Sequence, residues 1–304
     1  MNSRTENQTT SAPVTQAVMR VLSAGMHSSV QDLGRPGLKK WGVPCGGVMD
    51  RSVFLAANHT LGNSLTAAVV EILLGNVRFE CLNDTWVVLG GAGQGYLNGR
   101  AIRRMRTERL HKGDQLFIPH PQHGVWSYLA VEGGWSSDEW LGSRSVWPAA
   151  GMGRLLASND ILHRDTDDSL DLPRSVAARY MTGFEPRSID TAGIRVWRGP
   201  QWTWFSEAAR KDFFLTSWKI SSHSNRAGYR LEGSAVAGPQ QQMISEPILI
   251  GSIQIPPDGK PIVLLNDGPT IGGYPKLAVI DDADLDRFRQ LAPGQQCAFL
   301  LQNA

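Results

Sequence analysis

Cysteine is scarce in this 304-residue chain, and the three present, Cys45, Cys81 and Cys297, are scattered. No Cys-x-x-Cys pair occurs, so neither a disulfide framework nor a zinc site is indicated. The three read as reduced, buried thiols of a cytoplasmic protein. No apolar run approaches the ~20 residues that cross a bilayer, which speaks against a membrane span. The net charge is only +2, a near balance that gives no basic footprint for nucleic acid and no acidic tail. The chain also lacks the Gly-x-x-x-x-Gly-Lys-Ser/Thr loop that cradles phosphates and the Gly-x-Ser-x-Gly elbow of a serine hydrolase. Helical periodicity is uncommon.

What the chain has in quantity is turn chemistry: 32 glycines and 17 prolines. That composition suits a β protein, and the length suffices for two domains with ordinary cores. Strand patterns fall at residues 86–89, 116–119, 125–131, 194–197, 248–255 and 262–265. Three helices are predicted. The first spans Arg51–Leu61, with Asp50 as N-cap and Gly62 as its end. The others fall within Gln201–Phe214 and Asp282–Leu291. Met19–Gly25 resembles Ile194–Pro200, and His111–Ile118 resembles Ala292–Leu300, which suggests two related β modules. The expected layout is a disordered polar tail at 1–15, a β domain at 16–165, an acidic linker at 166–190 bounded by prolines, and a second β domain at 191–304.

The segment Gly251–Lys276 is the most informative. Pro257-Asp258-Gly259 joins two strands as a hairpin turn. The second strand delivers Asn266 and Asp267 into Gly272-Gly273-Tyr274-Pro275-Lys276. Consecutive glycines there allow backbone N–H groups to converge on an anion, with the Tyr274 hydroxyl and the Lys276 charge beside them. Gln254 lies on the first strand, and Glu246 precedes it as a possible general base. Arg226 and Arg230 are four apart and near Glu232. They form an ion pair with it or bind an anion. The long loop before the first helix carries Arg35, whose planar fork suits a carboxylate. Asp50 reads as a cap rather than a reactive group. Gly90–Gly95 follows a strand, but Asn98-Gly99 signals a hairpin where a dinucleotide fold needs a helix. His111, His120 and His123 have no ligand spacing and read as loop residues, so no metal is expected.

Read together, these motifs resemble the KipA-type family: the C subunit of 5-oxoprolinase, allophanate hydrolase subunit 2, or the biotin-dependent carboxyltransferase-like domain. The stretches that carry the resemblance are Val30–Gly37, Gly42–Pro44, Tyr128–Gly134, Leu141–Ser145, Gly199–Gln201, Asn225–Gly233, Gly251–Gly259 and Gly272–Lys276. The resemblance implies a mainly β chain of two cyclophilin-like β-barrel domains with a few peripheral helices. It implies two partners, a KipI-type B subunit plus an A subunit, in a complex that uses ATP to cleave the cyclic amide 5-oxoproline to glutamate. It equally allows carboxyl transfer from carboxybiotin to urea, or a non-catalytic regulator of a KipI-type partner. With no Met-Lys-Met signature here, biotin would arrive on a separate carrier. The implied catalytic residues are Asp267, Lys276, Tyr274 and Glu246; the implied substrate contacts are Arg35, Arg226, Arg230, Gln254, Gly272 and Gly273. The sequence departs from many relatives at Asn266–Ile271, which bears on the substrate.

Overall fold

The computed structural model describes residues 15–165 and 193–302. The expected linker, and all but the last residue of the expected tail, lie outside these residues. Strands of residues 15–165 make a seven-stranded and a five-stranded sheet, and those of residues 193–302 an eight-stranded sheet and a two-stranded ribbon. The chain is mostly β and its main sheet is nearly a closed barrel, as the fold expectation required.

Alternation explains the first core. In the strand Val77–Cys81, Val77, Phe79 and Cys81 are buried while Arg78 is exposed. They meet Val70, Ile72, Val87, Leu89 and Leu129 from the five-stranded sheet in one apolar cluster. The five-stranded sheet is buried on its other face too. Every residue of the strand Trp126–Val131 is buried, and Trp126, Tyr128 and Ala130 join a cluster that continues through Val196, Ile253, Val263 and Ala278 of the second half. The two halves therefore share a continuous core. This removes an apolar face that water would otherwise meet.

Helix α1 (Arg51–Leu61) closes that seam. The Asp50 side chain accepts from the Val53 N–H, and Gly62 ends the helix at φ 78°, both as the sequence suggests. Helix α2 (Glu207–Leu215) is shorter than expected, because Ser206 caps it and a 3-10 turn occupies Trp202–Trp204. Helix α3 (Asp282–Arg289) meets α1 across the seam, where Asp286 accepts from the N–H groups of Arg51 and Ser52. Gln290 donates to Asp50 Oδ2 and accepts from the Val125 and Trp126 N–H groups.

The hairpin at Pro257-Asp258-Gly259 forms as expected, pairing Ile253 with Val263 and Gln254 with Ile262. Asn98-Gly99 is likewise a hairpin turn, with φ 49° and 81°. The expected strand over 248–255 is a correction. Only Ser252–Gln254 of it is strand, because Gly251 at φ 86° turns the chain just before, and the short strand Glu246–Pro247 lies ahead of the expected range.

Period two also places charge at the seam. Glu71 pairs with Tyr128 across neighbouring strands, on the face that looks toward the second half. Arg226 reaches Glu71 from that half and also donates to Asp267 and to the Gly47 carbonyl. Glu71 is fully buried, and its pKa is raised by that burial against the pull of Arg226. Removing one partner of such a group leaves a buried charge without its counterpart, at about 3–5 kcal/mol. Arg226→Ala is expected to lower the urea midpoint accordingly, and pairing Arg226→Met with Glu71→Leu to recover part of the loss. A double variant as unstable as the sum of the singles would contradict this account.

Candidate functional site

Two polar clusters arise from the residues singled out in the sequence. The first is built on the strand Lys276–Ile280. Glu246 and Gly272 are register partners in the two-stranded ribbon, which sets the Glu246 carboxylate against the Lys276 ammonium. Gln201 ties the pair together: its Oε1 accepts from the Lys276 N–H at 3.0 Å and its Nε2 donates to Glu246 at 2.9 Å. A Cβ on Gly199 would stand 2.2 Å from the Lys276 carbonyl oxygen, so only glycine lets this turn lie on the strand. Lys276 is buried, and Glu246 is the more accessible partner. The Lys276 and Gln201 hydrogen bonds hold the Glu246 carboxyl below its ordinary pKa.

The glycines of this cluster work differently from the sequence expectation. Neither Gly272 nor Gly273 has a left-handed φ, so their amides do not form an anion nest. Gly272 instead permits close approach: a Cβ there would lie 2.8 Å from Gln254 Nε2 and 2.6 Å from Ile248 Cδ1. Gln254 Nε2 donates to the Tyr274 carbonyl at 3.3 Å, while the Tyr274 ring is half exposed.

The second cluster lies at the seam. Arg226 grips Asp267 through two nitrogens, at 2.8 and 3.1 Å. Asn266 Nδ2 donates to the Val48 carbonyl at 2.9 Å and lies within 3.3 Å of those of Gly46 and Gly47. Arg35 comes from the long loop and is buried, with Nε on the Trp140 carbonyl and Nη2 on that of Ser145. Its remaining nitrogen, Nη1, has no hydrogen-bond partner, and neither has the buried Asn266 Oδ1. Both atoms belong to side chains that border Gly46. Arg35 Nη1 lies 3.1 Å from where a Gly46 Cβ would be, and Asp267 Oδ1 lies 4.0 Å from it. Arg35 Nη1 and Asn266 Oδ1 are thus one donor and one acceptor without partners near one loop, the two kinds of group that a planar amide pairs with.

The structure thus divides the expected site. Lys276, Glu246, Gln254, Gly272, Gly273 and Tyr274 stand together; Arg35, Arg226 and Asp267 stand together. No hydrogen bond or ion pair joins the two groups among the described residues. Arg230 belongs to neither, because it faces solvent on the strand Gly228–Glu232. The ion pair considered for Arg226 and Arg230 with Glu232 does not form, since Glu232 pairs with Lys219 at 3.0 Å. Sequence reasoning did not propose Glu71, Tyr128, Gln201 or Asn266 as site residues. A glutamate flanked by Val69, Val70 and Ile72 in a buried strand was the available signal for the first.

Other polar groups fall outside both clusters. Asp32 accepts from the Ser143 and Ser145 hydroxyls and the Gly34 and Arg144 N–H groups, organising the loop. His111 meets Asp84 at 3.0 Å, and no cluster of three metal-ligating side chains occurs among the described residues. Burial pushes the Cys81 thiol up to about 11 and Cys297 up to about 12.

Residues 41–301 match the family model described as "Carboxyltransferase domain, subdomain A and B". The chain is 34% identical to the C subunit of 5-oxoprolinase from Escherichia coli strain K12, covering 93% of this chain and 91% of that protein. It is 30% identical to urea amidolyase of Lachancea kluyveri, covering 92% of this chain but 17% of that protein. The solved urea carboxylase of Kluyveromyces lactis superposes with a TM-score of 0.82 at 28% identity, covering 96% of this chain and 28% of that one. This solved chain and others like it are longer: the chain spans 19% of the solved urea amidolyase of Kluyveromyces lactis and 57% of the solved protein TTHA0988.

His27 sits beside the seam cluster, edge-on to Trp126 at 6.3 Å. Burial, with the Arg226 charge next, lowers its pKa from 6.5 to about 4. The folded state therefore binds fewer protons than the unfolded one between these values, and stability rises with pH across the window. A shift of that size corresponds to about 3 kcal/mol lost as pH falls from 6.5 to 4. Urea midpoints measured over that range should show a slope that is smaller in His27→Phe. An identical slope in the variant would place its origin elsewhere.

Proposed function

Because this chain belongs to the family of carboxyltransferase domains with subdomains A and B, we propose that it serves as the C subunit of an ATP-dependent 5-oxoprolinase. In this reading it cleaves the cyclic amide 5-oxoproline to glutamate together with the A and B subunits of the complex. The observation that carries it is the open pair at the seam, Arg35 Nη1 and Asn266 Oδ1. A lactam carbonyl oxygen would accept from Arg35, and the lactam N–H would donate to Asn266. The Arg35 hydrogen bond would then gain strength as negative charge develops on that oxygen. Asp267 is the carboxylate near Arg35, fixed by its ion pair with Arg226, and it takes the general-base role on water. Lys276, Glu246 and Tyr274 would border the entrance rather than the reacting bond. The match over nearly the full length of a 5-oxoprolinase C subunit supports this reading above the other.

The Lys276 cluster does not fit a nucleotide. Its lysine is neutralised by Glu246, and the glycines precede a strand rather than a helix. In this reading these residues take no part in using ATP.

The second reading is carboxyl transfer to urea, favoured by the family description and by the urea amidolyase match. The same donor and acceptor suit the ureido group of carboxybiotin, which would supply the carboxyl group from a separate carrier. A regulator that only binds a KipI-type partner is the third reading, and it makes Asp267 and Lys276 dispensable.

Glutamate release from 5-oxoproline, measured with ATP, the A and B subunits, plus this chain, separates the three. Release should vanish when this chain is omitted. Arg35→Lys should lower kcat/KM by about 10- to 100-fold, the worth of one hydrogen bond to a charged group. No glutamate from an assembled complex, with urea-dependent carboxylation instead, would transfer the assignment to the second reading. Undiminished activity in Asp267→Asn would remove its general-base role, and Lys276→Ala should leave turnover largely intact.

A further inference from the structure

A separate basic cleft lies on the first half, and its argument does not depend on the proposed reaction. Five arginines fall within residues 100–109, against the single acid Glu108, in a chain whose net charge is +2. After the hairpin at Asn98-Gly99 the chain turns at Met105, which is buried with a left-handed φ of 52°. That conformation is uncommon for a residue with a side chain. It is held by the Met105 N–H donating to the Leu89 carbonyl at 2.8 Å. Around this turn Arg103 and Arg104 are exposed and Arg106 is partly buried.

The result is a concavity of about 320 Å³ lined by Trp86, Arg100, Arg103, Arg106, Glu108 and Arg109. That size is at the lower end for small-molecule sites, ~300–1,000 Å³. Some of its charges are already engaged. Arg100 pairs with Glu108, and Arg109 lies over the Trp86 ring at 5.5 Å with Asp84 at 3.4 Å. Arg103 and Arg106 have no hydrogen-bond or ion-pair partner among the described residues, although Arg106 is partly buried. The strands Arg100–Ala101 and Thr107–Leu110 are both sheet edges, where arginines also discourage pairing with another chain. Edge protection explains charge on a strand. It does not explain two guanidinium groups without a partner among the described residues lining one hollow with Trp86.

We propose that this cleft is a binding site for the polyphosphate of a nucleotide, with Arg103 and Arg106 on the phosphates and the base against Trp86. Guanidinium forks match phosphate oxygens two at a time, and an indole face is a platform for a planar base. Glu108 does not oppose the anion, because Arg100 neutralises it.

Isothermal titration of the full chain at low salt tests this with ATP and with inorganic triphosphate. Both should bind, and both should weaken at least tenfold in Arg103→Ala/Arg106→Ala. The surface control Arg51→Ala/Lys211→Ala should bind like the parent. Trp86→Ala should weaken ATP and leave triphosphate unchanged, which separates a nucleotide from phosphate alone. Arg103→Glu, a single change at an exposed position, provides a second test should the double variant fold poorly. No binding of either anion at millimolar concentration, or parental affinity in the arginine variants, would overturn the site. Equal ATP affinity in Trp86→Ala would overturn the base contact.

Discussion

A guanidinium enclosed by protein keeps its charge, since it can neither shed its proton nor reach water, and it is held best where counter-charge and acceptors surround it. Arg226 meets that constraint with Glu71 from one half and Asp267 from its own, and with the Gly47 carbonyl. Most of the seam follows from this. Glu71 accepts the Met49 N–H, and Tyr128, its strand partner, accepts the Asp50 N–H through its hydroxyl. Those bonds fix the start of α1 and so the orientation of Asp50 toward Gln290. Burial and the nearby Asp286 raise the Asp50 pKa to about 7, so this carboxyl too is tuned by the closed seam. An ion network of this kind is a weak source of net stability, because desolvation offsets attraction. Its strength lies in geometry: a displaced half leaves charges buried without partners.

That rigidity bears on the open atoms beside it. Arg35 and Asn266 border Gly46, and the Gly46 N–H donates to the Asn266 carbonyl at 3.0 Å. A backbone pinned on both sides cannot relax to satisfy Arg35 Nη1 and Asn266 Oδ1 internally. Folding therefore leaves a donor and an acceptor in place before any ligand arrives, which is the arrangement that costs least to use on binding. The Lys276 cluster differs in charge: Lys276 and Glu246 are already an ion pair, so an anion there would have to displace Glu246 first, although Lys276 Nζ too lacks a hydrogen-bond partner.

The local elements were legible in the sequence because each rests on neighbouring residues. Asp50 and Gly62 delimit α1; Asn98-Gly99 and Pro257-Asp258-Gly259 specify hairpins. The strand expected through 248–255 was misread, since its apolar pattern continues past Gly251 while the backbone does not. The site was legible in its residue types and not in its partition. Arg226 and Glu71 are 155 positions apart, and no spacing rule connects them. Arg226 and Arg230 look like a pair in sequence, yet one lies on a turn facing the core and the other on the outward face of a strand. Gly272-Gly273 carries the composition of an anion nest. The conformation differs because the ribbon pairing of Gly272 with Glu246 keeps it extended.

Asp267 shows what the partition means for chemistry. In sequence it stands nine residues before Lys276, and the two suggest an acid and a cation serving one substrate. In the structure each has its own counter-ion, Arg226 for one and Glu246 for the other. An aspartate bonded at both oxygens has fewer lone pairs to offer than a free one, but its position is fixed. Such a group holds a water in line and accepts its proton as the attack proceeds. The lone pairs left on its oxygens, beside Arg35, are where the two roles meet. A reaction at the seam would therefore depend on how well Arg35 polarises the carbonyl, with Asp267 acting on a water that has already been made to attack.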